Sequence, residues 1–313
     1  MIEYSLTRDD IVSALTSLAA LRPKGALAGS SVFGGPKKQA EQAVKASVLL
    51  LGPRRVWADD EGLHEWVGDV EQVHRWAVVG RPHVAGAHVV VPLTNLSPDA
   101  PAFAGCALIV PRSVPGLDEL AGDVAVRAED AVDEAPPRPG VDRAGVPVAE
   151  LVADVFPEDY AAVNTAFRRS AEGRRQIAAA LGTGLVVGAL AGLILTLLPG
   201  VSLPVLRTAA VGGLLGVVAV AVLLRLTLNI QSRHFVETGV YKVGPGAWWF
   251  DRERFHEEID GRHFSASWRR IERIQRVDDV AVFWLGSSFA ILVPCRDDDG
   301  RLFVSAAERR LAG

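Results

Sequence analysis

The residues whose types could do chemistry lie closest together in one short run, HEEIDGRH, which holds His256, Glu257, Asp260 and His263. Imidazoles and carboxylates in that density suggest a zinc site. A zinc-protease helix, however, needs two histidines four residues apart on one face, and these two are seven apart in a strand-rich stretch. The run is therefore assigned to structure or surface. A second candidate, ALAGSSVFGGPKKQ, has the glycines of a phosphate loop. Pro36 nevertheless separates Gly35 from Lys37, the Gly-Lys-Ser/Thr ending is missing, and no apolar strand precedes it. Cys106 and Cys295 each sit in an apolar run with no paired metal-ligand spacing, which points to buried reduced thiols. No Ser/His/Asp or Cys/His pattern and no pair of carboxylates stands out. The expectation is a protein that is not an enzyme, with no catalytic, cofactor or metal residues.

What remains is positive charge beside aromatic surface. Arg174 and Arg175 immediately precede a long apolar segment, Trp248 follows a second one, and WRRIERIQR contributes Arg269, Arg270 and Arg273. These six residues are the candidates for contact with anionic lipid or a partner. A solvated face is the plainer reading of WRRIERIQR, and for the Trp248-Trp249 pair one ring in the core and one exposed is the open alternative. Nucleic acid is not expected as a partner.

The elements that must position these residues are dominated by a hairpin over residues 177–230. IAAALGTGLVVGALAGLILTLL is 22 residues without a charge, or roughly 33 Å of helix at 1.5 Å per residue, enough to span hydrocarbon. Pro199, Gly200 and Pro204 break it. Residues 208–224 form a second run of 17, extendable to 230 if Arg225 snorkels. Arg168, Arg169, Arg174 and Arg175 precede the first span and Arg225 and Arg233 close the second, whereas the intervening loop has only Arg207. That bias predicts a multi-pass protein of the inner (cytoplasmic) membrane with both termini cytoplasmic. Neither span carries an ionisable group inside to line a transport pathway. Gly184, Gly188 and Gly192 in one helix, and Gly212 and Gly216 in the other, give each a flat face. Packing within the hairpin is the first expectation and homodimerisation the second.

The polar start MIEYSLTRDD lacks a basic region followed by an apolar one, so the first span is expected to act as the targeting signal. The 313 residues carry a net charge of −4, but residues 117–159 hold twelve acids and three arginines, leaving the remainder at +5. Residues 131–156, acidic and Pro-rich, are assigned to a linker. Residues 157–176 form a basic juxtamembrane helix with acids at its start.

An internal repeat divides the rest. GPRRVWADDEGLHE from Gly52 aligns without a gap on GPGAWWFDRERFHE from Gly244, pairing Trp57 with Trp249, Asp59 with Asp251 and His64 with His256 at an offset of 192. The offset persists to Trp76 and Trp268 and to Arg81 and Arg273; ALIVP from Ala107 then meets AILVP from Ala290 after nine extra residues in the first copy. Short alternating runs, Gly/Pro turns and spaced tryptophans predict a small antiparallel β domain in each copy, residues 1–130 and 231–313, with the paired tryptophans in the two cores. Thr7 followed by Asp9 and Asp10 predicts a capped helix to about Leu21, echoed by Glu158 and Asp159. The N-terminal copy is expected to lack a hairpin, and residues 39–51 to run from helix into strand.

An acidic helix start (EDY), a basic juxtamembrane helix (FRRSAEGRR), two spans, W-x-x-I-x-R-I and an AILVP strand together resemble the YcxB-like family of bacterial membrane proteins, from about residue 156 to the end and, more weakly, over residues 2–116. The resemblance implies a small, largely uncharacterised inner-membrane protein whose soluble part is a pleckstrin-homology-like roll. Cys295, Arg296 and three aspartates follow Pro294 where the family has a basic and aromatic run. The expected class is thus an α+β membrane protein, a two-helix transmembrane hairpin carrying two related β-rich cytoplasmic domains. Its expected function is a non-catalytic scaffold or sensor binding protein, peptide or lipid headgroup; the alternative is an oligomeric transport or envelope-stress component. Two tethered copies meet at roughly mM effective concentration, so they are expected to dock.

Overall fold

The computed structural model describes residues 1–20, 51–93, 107–131, 147–196, 204–237, 242–285 and 290–312. The chain is α+β and divides into a sheet unit, residues 1–159 and 235–313, and a helical unit, residues 160–234. The expected helix-to-strand run over residues 39–51, apart from Leu51 itself, the place of a lost hairpin, and Cys106 lie outside the described residues.

In the first half of the sheet unit, β1 (Ile2–Leu6) buries alternate residues Ile2, Tyr4 and Leu6. The helix α1 (Arg8–Ala20) starts where Thr7 Oγ1 accepts from the Asp10 amide at 3.2 Å and the Asp10 carboxylate accepts from the Thr7 amide at 2.9 Å, a reciprocal cap. A four-stranded meander continues through β2 (Gly52–Ala58), β3 (Leu63–Val67) and β4 (Val70–His74), each antiparallel to its neighbour. A 3-10 turn at Trp76–Val78 leads to a second meander, β5 (His83–Ala85), β6 (His88–Pro92) and β7 (Ala107–Pro111), followed by α2 (Leu117–Asp130). Val56, Leu63, Trp76, Val90, Ile109 and Val124 meet in its core.

The second half follows the same order. β8 (Ala149–Val155) and a 3-10 turn at Pro157–Asp159 precede the helical unit. After it come β9 (Gly244–Phe250), β10 (Arg254–Ile259), β11 (Arg262–Ser267), a 3-10 turn at Trp268–Arg270, the meander β12 (Arg273–Val277), β13 (Val280–Trp284) and β14 (Ala290–Pro294), and α6 (Asp298–Ala312). Its core is aromatic: Phe250 meets Trp268 edge to face at 5.1 Å, and Phe255 lies 4.9 Å from Phe283.

The linker assignment of residues 131–156 is corrected at its end, because Ala149–Val155 is a strand. Leu151 and Val155 are buried while Glu150, Val152 and Asp154 point out, a period-two pattern that pairing with β9 makes stable despite two acids in seven residues. The helix expected over residues 157–176 is interrupted. A 3-10 turn precedes α3 (Tyr160–Arg169), Ser170 ends it, and the Ser170 hydroxyl caps the next helix, α4 (Ala171–Thr196), by accepting from the Gly173 amide at 2.9 Å.

One sheet runs through both halves in the order β1-β2-β3-β4-β11-β10-β9-β8. Its central joint is antiparallel, with Gln72 opposite Phe264, Val70 opposite Ala266 and His74 opposite Arg262. Gln72 and Phe264 are the positions that the 192-residue offset superposes, and the flanking pairs exchange partners about them. A local two-fold axis therefore passes between these two residues.

The helical unit contains α3, α4 (Ala171–Thr196) and α5 (Val205–Glu237). Residues Gly173–Thr196 and Val205–Leu223 are long and apolar enough to cross a membrane, and few of them are buried by protein. The glycine faces meet one another: a Cβ on Gly188 would overlap the Gly212 carbonyl, and one on Gly216 the Gly184 carbonyl.

Candidate functional site

The aligned motif residues build a turn. Asp59 Oδ1 accepts from the amides of Glu61 at 2.8 Å and Gly62 at 3.2 Å, closing the β2–β3 connection; Asp251 does the same for Glu253 at 2.6 Å and Arg254 at 2.7 Å between β9 and β10. The carbonyls of the same aspartates accept from the indoles of Trp76 at 2.9 Å and Trp268 at 3.2 Å. Burial opposes ionisation of both aspartates, but these hydrogen bonds and the adjacent histidines outweigh it and hold their carboxyls below the ordinary range. Trp76 and Trp268 fill the two cores as the repeat suggested. Trp57 and Trp249 do not, because register puts them on the opposite face, where Trp57 stacks on His64 at 4.7 Å and Trp249 on His256 at 5.0 Å.

The four residues of HEEIDGRH separate onto two faces. His256 Nδ1 lies 3.3 Å from His263 Nε2 with the rings within 15° of parallel, Trp249 covers both, and His256 Nε2 is 3.6 Å from Asp251. His256 thus hydrogen-bonds His263 and lies at ion-pair distance from Asp251, an arrangement of a carboxylate and two imidazoles rather than a chelate. Among the described residues no three His, Cys, Asp or Glu side chains are placed to hold a metal ion. Glu257 faces the other way and accepts from the Trp248 indole at 3.0 Å; desolvation pushes its carboxyl up to about 7, against the opposing Trp248 bond and Lys242 charge. Glu65, its aligned counterpart, is buried in an ion pair with Arg54, whose own counterpart is Gly246. The two halves thus treat the aligned acid differently, by burying it in an ion pair in the first and raising its pKa in the second.

The joint between halves is tied at both ends. Asp69, in the two-residue turn after β3, accepts from the Ser267 hydroxyl and the Arg270 guanidinium, and its carbonyl accepts from Arg254 at 3.1 Å. Burial of Asp69 is outweighed by those bonds, so its carboxyl is held below the ordinary range. At the other end the Arg75 amide donates to the Gly261 carbonyl at 2.8 Å. Asp69 corresponds to Gly261 and Arg75 to Ser267, so each turn grips the C-terminal end of the opposing strand. Gly68, at φ 66°, and the Asp260-Gly261 pair, at φ 51° and 68°, supply the left-handed positions these turns require. Beside the joint, His74 is buried against Arg262, and burial followed by the Arg262 and Lys242 charges keeps its ring neutral well below the usual range.

Of the six expected contact residues, Trp248 is corrected: it is fully buried, its indole is bound to Glu257, and Trp249 takes the opposite face because neighbours on a strand alternate. Arg269, Arg270 and Arg273 are exposed, but Arg270 is committed to Asp69 and Arg273 lies 4.9 Å over the Trp284 ring. Arg174 and Arg175 are exposed in the helical unit, where Arg174 Nη1 donates to the Arg169 carbonyl at 2.8 Å. A patch not singled out by sequence lies on the first half, where Trp57, Trp66 and Arg55 border a depression of about 460 Å³ with Met1, and Trp66 is 36% exposed. Its only sequence signal is a second tryptophan in the outward phase of β3. No family model matches the sequence, and neither a curated protein nor a solved structure matches it.

Proposed function

We propose that the chain is a non-catalytic binding platform of the bacterial inner membrane, a multi-pass protein anchored by its helical hairpin with the sheet unit in the cytoplasm. The observation that carries this reading is the single eight-stranded sheet, which joins two halves across a two-fold axis and offers one broad face and two outer edges. Each half is best read as a copy of one pleckstrin-homology-like roll: a four-stranded meander, a three-stranded meander and a terminal helix, in the same order with the same turn chemistry. The YcxB-like resemblance fits this reading. The joint supports an intramolecular pseudo-dimer in place of the homodimer that a single copy would need.

Recognition is proposed to fall on the sheet rather than the basic run, since Trp66, 36% exposed, borders the depression on the first half with Trp57 and Arg55, while the most basic segment spends Arg270 on the joint. The partner class is a protein. A photo-crosslinking amino acid in place of Trp66, in the intact chain in native membranes, is expected to give discrete protein adducts that the same group at Leu190 does not give. Adducts confined to lipid would overturn the reading. For topology, a cysteine at Ser202 in a chain lacking Cys106 and Cys295 should be labelled from outside intact cells, and cysteines at Ser17 or Ala306 should not.

A further inference from the structure

We infer that α6 is a homodimer contact, pairing antiparallel with the α6 of a second copy of this chain; this goes beyond the binding-platform reading and does not depend on it. Beside β8, the last strand of the sheet, α6 presents Asp299, Leu302, Ala306 and Arg309 to a groove of about 410 Å³. Spacings of three, four and three residues keep all four on one stripe of the helix. The core takes a different side of α6, through Phe303, Val304 and Ala307. The stripe is left in solvent: Leu302 is 66% exposed, and Asp299 and Arg309 are exposed at its two ends. Val152 of β8, 61% exposed, borders the same groove and widens its apolar middle.

The charges select the occupant. Asp298 pairs with Arg301 at 3.3 Å and Glu308 with Arg276 at 2.8 Å, while Arg310 donates to the Arg252 carbonyl. Asp297 caps the helix by accepting from the Gly300 amide at 2.8 Å, and Glu150 on β8 already has a partner. Of the charges on α6, Asp299 and Arg309 are the two without a partner among the described residues. Together they are neutral, so they favour no strongly charged ligand, but they are self-complementary. Asp299 and Arg309 each lie five residues from Val304, and Leu302 and Ala306 each lie two. A second α6 laid antiparallel about a two-fold axis at Val304 therefore sets Asp299 against Arg309 of the second copy and Leu302 against its Ala306, each twice. The large side chain over the small one allows close approach, and the acidic first turn of each helix meets the basic last turn of the other. The first half has no such stripe. At the offset of 183 that sets Ala107 on Ala290, the four positions read Gly116, Glu119, Asp123 and Val126, so the same pairing of α2 would oppose acids at its centre. With one self-complementary stripe per chain, assembly closes at two.

The test is sedimentation velocity of the full chain in detergent. The parent should show a reversible monomer–dimer equilibrium that shifts toward monomer with added salt. Asp299→Arg and Arg309→Asp, each with unchanged near-ultraviolet circular dichroism, should weaken self-association at least about tenfold, because each sets like charges opposite one another twice. Mixed together, these two variants should pair about as tightly as parent chains do, since a stripe with two arginines complements one with two aspartates; misfolding could not produce that recovery. Leu302→Glu should weaken the dimer about tenfold and Leu190→Ala should not. A parent chain monomeric at on the order of 100 μM, a dimer indifferent to both charge reversals, or single variants that do not pair when mixed would each overturn the inference. The Trp66 crosslinking experiment reads a separate surface, so failure of one leaves the other standing.

Discussion

Glu65 and Glu257 occupy aligned positions on the same face of the sheet, yet the same substitution should have opposite effects at them. At Glu257 the carboxyl moves from an ordinary 4.5 to about 7 because burial disfavours its charge, and at about 1.4 kcal/mol per pH unit this caps the cost of holding it ionised at about 3 kcal/mol. The side chain is only half-buried by accessible area, so solvent screening reduces this to about 1–2 kcal/mol. The sign follows from linkage. The unfolded chain releases this proton near pH 4.5 and the folded chain near pH 7, so this stability is full below 4.5 and is lost as pH rises to 7. Glu257→Gln keeps an acceptor for the Trp248 indole and removes the charge. It should therefore leave stability unchanged at pH 4 and raise the melting temperature at pH 8 by about 3–6 °C, at about 3 °C per kcal/mol. Glu65→Gln instead removes the carboxylate charge that offsets the buried Arg54 guanidinium and should cost about 3–5 kcal/mol at pH 8. The assay is thermal unfolding of the full chain in detergent, followed by tryptophan fluorescence from pH 4 to 8. His74, neutral when folded, loses stability as pH falls below 6.5, but it does so in every variant and cancels in the difference. A Glu257→Gln chain no more stable than the parent at pH 8, or one whose gain is independent of pH, would refute the reasoning.

Gly188→Leu should destabilise the hairpin far more than Leu190→Ala, because the new side chain meets the Gly212 carbonyl whereas Leu190 is 55% exposed; equal melting temperatures in detergent would count against the packed glycine face. Trp248→Ala should cost about 3–5 kcal/mol and Arg269→Ala less than about 0.5, measured by the same melts, since one ring is fully buried and the other side chain is exposed. Asp69→Ala should cost about 1–3 kcal/mol by releasing Ser267, Arg270 and their shared turn, and Gly68→Ala should add strain at φ 66°; an Asp69→Ala chain indistinguishable from the parent would show the turn is not gripping the joint.

The α+β class and the apolar helical hairpin were legible because 22 uncharged residues and a Pro/Gly break are properties of sequence alone. The correspondence of Trp57, Asp59 and His64 with Trp249, Asp251 and His256 was also visible, but not what it does; the Asx turn and the ring stack need the register of two strands. β8 was hidden because AELVADV has two acids in seven residues and follows a Pro-rich acidic stretch, so only its partner β9 makes it a strand. The choice between Trp248 and Trp249 turns on strand phase, which adjacent tryptophans do not reveal. Nothing in VEQVH or RHFSAS marks them as central strands: polar residues alternate irregularly in both, and their burial comes from each other.

The central claim is that β4 and β11 close one continuous sheet, and amide hydrogen exchange on the full chain in nanodiscs tests it most directly. With both strands flanked on each side, the amides of Val70–His74 and Arg262–Ser267 should exchange as slowly as those of the interior strands β3 and β10, while β1 and β8 exchange faster as edges. Exchange of Val70–His74 and Arg262–Ser267 at the rate of β1 and β8 would mean that each half ends in an open edge, and would contradict the account.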